Sequence, residues 1–179
     1  MSQKSNASKI SYVAYVATTV DGRIAERSRA KINWTSKEDW NFFQKSLKKF
    51  DAVVVGHNTY LMAKKNLDKR NTMVFTSKVS SPKARGSVVF FNPEKSDFLK
   101  FVKEKKYKNM AILGGPKVYD FFLKNNLLHE IFVTMEPYIF TSGVPMFEGK
   151  FQKHKLTLKS MKKLNRKGTI LLHYKINAN

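Results

Sequence analysis

The order in which apolar runs and amphipathic segments follow one another limits the fold more than any other feature. Residues 10–17 (ISYVAYVA) are nearly continuously apolar and β-prone, as a strand buried on both faces must be. Residues 18–33 are polar, carry Asp21-Gly22, and predict a turn followed by a long loop. Ser36 then opens a helix that runs to Lys49. Its serine is an N-cap, Glu38 and Asp39 fall in the electropositive first turn, and Phe43, Leu47 and Phe50 recur at helical spacing toward a core. A short buried strand at 51–55 ends at Gly56, and a brief helix spans about 58–65. Strands follow at 72–76 and 87–91, an amphipathic helix at 95–106, a strand at 110–113, a helix at 117–124 and a strand at 130–135. Two more strands, near 155–161 and 169–176, come in succession around 165–168 and predict a closing antiparallel hairpin. This pattern predicts an α/β fold: a mixed, mostly parallel central sheet of about eight strands with an antiparallel C-terminal edge, flanked by about four helices.

No repeat, low-complexity tract or break in composition divides the 179 residues, so one domain is expected over 10–179. Residues 1–9 are polar and read as a frayed lead-in without the apolar stretch of a secretory signal. No apolar run approaches the ~20 residues that span a bilayer. The absence of cysteine excludes disulfides, thiolate metal ligands and cysteine nucleophiles, and a cytoplasmic location is the expectation. The net charge of +21 raises nucleic-acid binding. Yet 28 lysines stand against 6 arginines, spread along the chain in doublets such as Lys48-Lys49, Lys105-Lys106 and Lys162-Lys163. Arginine is the residue that reads base edges, so the charge predicts a solvated lysine-rich surface that attracts anionic small molecules.

Ligands of such sheets bind beyond the carboxyl ends of the strands, which directs attention to the segments after Ala17, Val55, Thr76, Leu113 and Met135. Leu113-Gly114-Gly115-Pro116-Lys117-Val118-Tyr119 joins a strand to a helix. Its glycines permit close approach to the backbone, Pro116 suits the first helical position, and a helix N-terminus favours an anion. Read alone it is equally a tight turn, and it is not the GxGxxG of an ordinary Rossmann site. Asp39, near Trp34, Phe42 and Phe43, has the chemistry to pair with an amidine-like ring edge; as an isolated residue it is a capping-turn carboxylate. Thr134 by itself is a β-prone strand residue. His57 has no partners at metal-ligand spacing, and neither a metal site nor a hydrolytic triad is indicated.

Together and in order, these pieces resemble dihydrofolate reductases: residues 13–17, Trp34 with Asp39 and Phe43, Val55-Gly56-His57-Asn58-Thr59-Tyr60, Arg70 before the strand 73–76, residues 112–119, and Phe132-Val133-Thr134. The match covers residues from about 12 to 147. Other stretches are similar to the reductases of riboflavin synthesis, which share that fold: Val20-Asp21-Gly22-Arg23-Ile24-Ala25, Ser36 with Glu38-Asp39, His129-Glu130, and Pro137 followed by Ser142-Gly143.

The resemblance implies a dihydrofolate reductase-like sheet and a hydride transfer from NADPH to a small pterin-like or pyrimidine-like substrate, by a monomer or homodimer. It implies that Asp39 holds the substrate ring with Thr134, that Trp34 and Phe43 wall the pocket, and that Arg70 clamps the folate glutamate. Ala14 and Leu113 would flank nicotinamide and pterin. Gly56, His57, Asn58, Thr59, Gly114, Gly115, Pro116, Lys117, Val118 and Tyr119 would bind cofactor, the glycines and following helix holding the pyrophosphate. Thr76, Ser77 and Lys78 would hold the adenosine 2′-phosphate. His57 stands where arginine is common, and NADPH preference is expected to strengthen below about pH 6.5 as that ring protonates. Reduction of 7,8-dihydrofolate is the first expectation, supported by Arg70, Phe43, Thr134 and the short link from Tyr60 to Arg70. Reduction of a ribosylaminopyrimidine 5′-phosphate is the alternative, and a nucleic-acid-binding role rests on charge alone.

Overall fold

The apolar runs become the middle of a nine-stranded sheet in the computed structural model, which describes residues 10–177; the lead-in at 1–9 lies outside the described residues. In chain order the strands and helices are β1 (Ser11–Thr18), β2 (Arg23–Ala25), α1 (Lys37–Leu47), β3 (Ala52–Gly56), α2 (His57–Leu67), β4 (Thr72–Phe75), β5 (Lys83–Arg85) and β6 (Val88–Phe91). There follow α3 (Phe98–Glu104), β7 (Asn109–Ile112), α4 (Pro116–Lys124), β8 (Glu130–Met135), β9 (Val144–Pro145), β10 (Leu156–Lys163) and β11 (Ile170–Ile176). The spatial order is β10-β11-β8-β1-β7-β3-β4-β6-β5. The strands from β8 to β6 run parallel, while β11, β10 and β5 are antiparallel to their neighbours. The expected mostly parallel sheet with an antiparallel C-terminal hairpin and four helices is therefore present.

Differences lie where local sequence carries little signal. The expected loop at 18–33 contains β2, which pairs with β9 as a separate two-stranded ribbon, and β5 forms an exposed edge. Both are segments of three residues held by their partner strand, β2 by distant β9 and β5 by neighbouring β6, so neither shows an apolar period. The third helix begins at Phe98 rather than 95, because Asp97 accepts the Lys100 N–H at 2.9 Å and caps it there. Ser36 caps α1 as expected, its hydroxyl accepting the Asp39 N–H at 3.2 Å.

Helices cover both faces. Tyr12, Ala14, Val16, Val54, Phe75, Met110 and Ile112 face α3 and α4, where Phe98, Val102, Val118, Tyr119 and Phe122 close the layer. Val13, Tyr15, Val53, Val55, Val74 and Ala111 face α1 and α2, packing on Leu47, Tyr60 and Leu67. Burial on both sides explains the unbroken apolar character of β1, β3 and β4.

The connections locate the site. From β1 the chain passes over β7's place to β3 and moves outward through β4 and β6. It then returns to lay β7 between β1 and β3, and crosses to β8 on the far side of β1. The direction of winding reverses at β1–β7–β3, and ligand clefts form at such a point beyond the carboxyl ends of the strands. The β1–β7 pairing stops at Ala14 opposite Ile112, although β1 stays paired with β8 as far as Thr18 opposite Met135. The sheet thus opens between the end of β1 and the turn after β7. Among the described residues no helix is long and apolar enough to cross a membrane.

Candidate active site

One wall of the opening is the Gly114–Gly115 turn, whose peptide bond is cis. Gly114 has φ +87°, and a Cβ there would lie 2.7 Å from the Tyr119 ring. That ring cannot give way, being 2% exposed with its hydroxyl donating to the Tyr15 carbonyl at 2.7 Å. Tyr119 thus ties α4 to β1 where β1 and β7 part. A Cβ on Gly115 would meet only Thr59 Oγ1, at 3.9 Å. Gly114 is required by packing, whereas the side of Gly115 is open toward Thr59 at the start of α2. Gly56 closes the far end, its N–H donating to the Gly114 carbonyl at 2.7 Å. Val118 and Tyr119 are buried, and both amides donate to the Gly115 carbonyl. They support the turn, and the open side of Gly115 faces Thr59, with exposed Lys117 in the first turn of α4. Leu113, half-buried, donates its N–H to Val54 at 2.9 Å, and Ala14 is fully buried on the α3–α4 side.

The opposite wall is polar. Asp39, in the first turn of α1, is half-buried and hydrogen-bonded by the Thr134 hydroxyl from β8. Burial pushes the Asp39 carboxyl above the ordinary carboxylate range, the Thr134 bond works against this, and the nearby charge of Glu136 adds to it. Glu136 itself is 2% exposed: Oε1 accepts the Ser36 N–H at 2.6 Å and Oε2 the Thr169 hydroxyl at 2.7 Å. Trp34 stands edge-on to Phe140 (5.2 Å) and Tyr138 (6.5 Å), in the segment after β8. Phe43 turns toward the core, its ring 6.1 Å from both Tyr15 and Trp40.

Two further basic regions lie at other places on the sheet. Arg70 donates to Gln44 Oε1 of α1 at 3.3 Å and lines a cavity of about 280 Å³ with Lys69, Asn71, Ser87, Leu47 and Phe50. Beyond β4, His57, Thr76, Lys78, Lys83 and Arg85 line a second cavity of about 290 Å³. There Lys78 Nζ lies 3.3 Å from His57 Nε2, Thr76 Oγ1 accepts the Lys78 N–H at 3.2 Å, and Ser77 is exposed. Asn58 accepts from Arg29 at 3.1 Å and donates to Ser28, bringing the loop after β2 alongside. Burial first, then the charges of Lys78 and Arg29, holds the His57 imidazole below the usual histidine range. Protonation of His57 in the free protein therefore begins at lower pH than the unperturbed 6.5 expected from sequence.

The sequence pattern of the dihydrofolate reductase family matches residues 10–172. The chain belongs to the dihydrofolate reductase family. It is 28% identical over 170 residues to the uncharacterized protein YwjB of Bacillus subtilis (strain 168), covering 90% of this chain and 95% of that one. Its fold is shared with a diaminohydroxyphosphoribosylaminopyrimidine deaminase/5-amino-6-(5-phosphoribosylamino)uracil reductase of Thermotoga maritima, at TM-score 0.72 and 19% identity, over 94% of this chain and 57% of that one. It is shared as well with the Enterococcus faecalis dihydrofolate reductase complexed with NADP(H) and RAB-propyl, at TM-score 0.65 and 22% identity, over 94% and 97%. The protein has a dihydrofolate reductase-like fold of the oxidoreductase type.

Several site residues of this family member escape a reading of the sequence. Lys83 and Arg85 lie on a three-residue strand without a pattern, and Arg29 in a loop. Glu136 did have a signal: two residues after Thr134, it shares that residue's side of the strand direction. Tyr15 was visible as apolar but not as the partner of Phe132, on which it stacks at 4.9 Å.

The two glycines are expected to separate stability from binding. Gly114→Ala should cost about 2–4 kcal/mol through its positive φ and the Tyr119 clash, lowering the melting temperature by about 5–15 °C. Gly115→Ala should melt as wild type yet bind NADPH at least ~10-fold more weakly in a fluorescence titration. Equal melting temperatures for the two variants would remove the distinction.

Proposed function

We propose that the protein is a cytoplasmic, single-domain, NADPH-dependent reductase of 7,8-dihydrofolate. The observation that carries this reading is the pair of groups along α1. Asp39 occupies its first turn, and Gln44, about 7.5 Å further along the axis, accepts a hydrogen bond from Arg70, which lines a cavity at the amino ends of β3 and β4. A carboxyl at one end and a guanidinium at the other match a substrate with an amidine-like ring and a remote carboxylate. The Asp39 carboxyl, fixed by Thr134, would pair with the ring and favour its protonated, hydride-accepting form. A bound nicotinamide supplies the hydride. The residues fit such a cofactor: the open side of Gly115 beside Thr59 suits a pyrophosphate, and Lys78, Lys83 and Arg85 suit a 2′-phosphate. Ala14, Leu113 and Tyr15 would bound the nicotinamide and ring, with much of the rate coming from orientation in that opening.

A second reading, reduction of a ribosylaminopyrimidine 5′-phosphate, is supported by the Val20–Ala25 motif. Its Asp21 accepts the Thr19 hydroxyl at 2.6 Å and the N–H groups of Phe140 (3.1 Å) and Thr141 (2.9 Å), pinning the loop after β1 to the loop after β8.

Arg70→Ala distinguishes the two. A remote carboxylate contact acts equally in ground and transition states, so KM for dihydrofolate should rise about 30-fold, ~2 kcal/mol, with kcat little changed. A dihydropterin without the glutamate should be insensitive. Equal responses of the two substrates would move the second reading ahead.

Cofactor choice at neutral pH should rest on lysine and arginine rather than His57. Lys78→Ala is expected to weaken NADPH about tenfold, ~1.4 kcal/mol, and leave NADH within about twofold. Equal losses for both cofactors would show that Lys78 does not meet the 2′-phosphate.

A further inference from the structure

The C-terminal hairpin has no part in the reading above, yet it reaches the site through one buried side chain. Thr169, 1% exposed, lies just before β11 and donates its hydroxyl to Glu136 Oε2. Its own N–H donates to Asn165 Oδ1 at 3.2 Å, and Asn165 Nδ2 donates to Glu38 Oε2 at 3.3 Å. Glu136 Oε1 accepts the N–H of Ser36, the residue that caps α1 and whose hydroxyl accepts the Asp39 N–H. The Glu136 amide continues the β8–β1 ladder to the Thr18 carbonyl at 2.8 Å. One carboxylate therefore joins the end of β8, the hairpin turn and the first residues of α1.

We propose that Glu136 is a positioning residue for Asp39: it holds the start of α1 against β8 and the hairpin, and it places a second carboxylate charge behind the substrate-ring carboxyl. This rests on the reading of Asp39 as the ring anchor. A structural tie needs only hydrogen-bonding capacity at this position, and a neutral amide supplies that. A buried carboxylate with two short donors is a costlier choice, and its distinguishing property is its charge. The charged groups around the start of α1 are Lys37 and Glu38 on the helix, Lys167 in the hairpin turn, and Glu136 beyond β8. Lys37 and Lys167 act on exposed Glu38, whereas Glu136 is the charge that acts on half-buried Asp39. A like charge beside a half-buried carboxyl adds to burial in favouring its protonated form, here that of Asp39. The hairpin thus helps set how readily the site's carboxyl keeps its proton, though it touches no substrate.

Glu136→Gln separates charge from hydrogen bonding, since the amide oxygen can still accept from Ser36. The readout is the titration of the Asp39 carboxyl carbon by ¹³C NMR, assigned with Asp39→Asn, which requires no substrate and stands even if dihydrofolate is not reduced. The Gln variant should melt as wild type while the Asp39 midpoint moves down toward the ordinary carboxylate range. The corresponding limb of the kcat/KM profile should move to lower pH with it. Glu136→Ala should produce the same shift and also lower the melting temperature. Should Glu136→Gln fail to fold, Glu136→Ala still decides through the same Asp39 titration. An Asp39 midpoint unchanged in Glu136→Gln, or in Glu136→Ala should the Gln variant not fold, would overturn the proposal.

Discussion

The parting of two neighbouring parallel strands is the constraint on which the rest of the structure depends. Once β1 and β7 cease to pair after Ala14 and Ile112, their backbones must be satisfied and held apart by other means. The Tyr119 hydroxyl takes the Tyr15 carbonyl on one side, and Val54 takes the Leu113 N–H on the other. The Gly114 turn exists in the space this arrangement leaves, and only a residue without a Cβ can occupy it. A fully buried phenol, an obligatory glycine and a helix start are thus three consequences of one gap in a sheet. The gap interrupts an otherwise continuous sheet at its centre.

Charge in this protein works at two depths. The abundant surface lysines are largely solvated, and screening limits their effect to attraction of anions toward the molecule. The few ionisable groups taken out of water act more strongly because their fields are less screened. Asp39 beside Glu136 follows that rule, since burial and a like-signed neighbour favour the neutral form of Asp39, whereas His57 meets Lys78 at an exposed contact where solvent weakens the same two causes. His57 presents a ring nitrogen to the Lys78 ammonium, and Asp39 holds its proton more readily than an ordinary carboxyl does.

Much of the fold was legible because burial on both faces leaves a plain record. The runs at β1, β3 and β4 could be nothing but central strands, and two strands in succession at the end required an antiparallel edge. β2, β5 and β9 were not legible, since a segment of two or three residues forms a strand only because a partner lies beside it. The site was half legible. The order of Asp39, Arg70, the Gly-Gly turn and Thr134 disclosed the family, and the structure places Asp39 with Thr134 and Arg70 with α1. Contacts between distant segments left no local trace: Glu136 with Thr169 and Ser36, and Lys83 and Arg85 beside His57, are products of topology. The inward turn of the Val118 and Tyr119 amides to Gly115 is likewise a product of the folded chain.

The central claim is that the Asp39 carboxyl, held by Thr134 beside the opening between β1 and β7, binds and activates the ring that receives the hydride. Steady-state NADPH oxidation with 7,8-dihydrofolate by wild type and Asp39→Asn tests it most directly, because the amide keeps the shape and removes the ionisable group. The account predicts oxidation by the wild type that depends on added dihydrofolate. In the variant it predicts a loss on the order of 100-fold or more, with melting temperature and NADPH affinity retained. Turnover of the variant at close to the wild-type rate across the neutral range would contradict it.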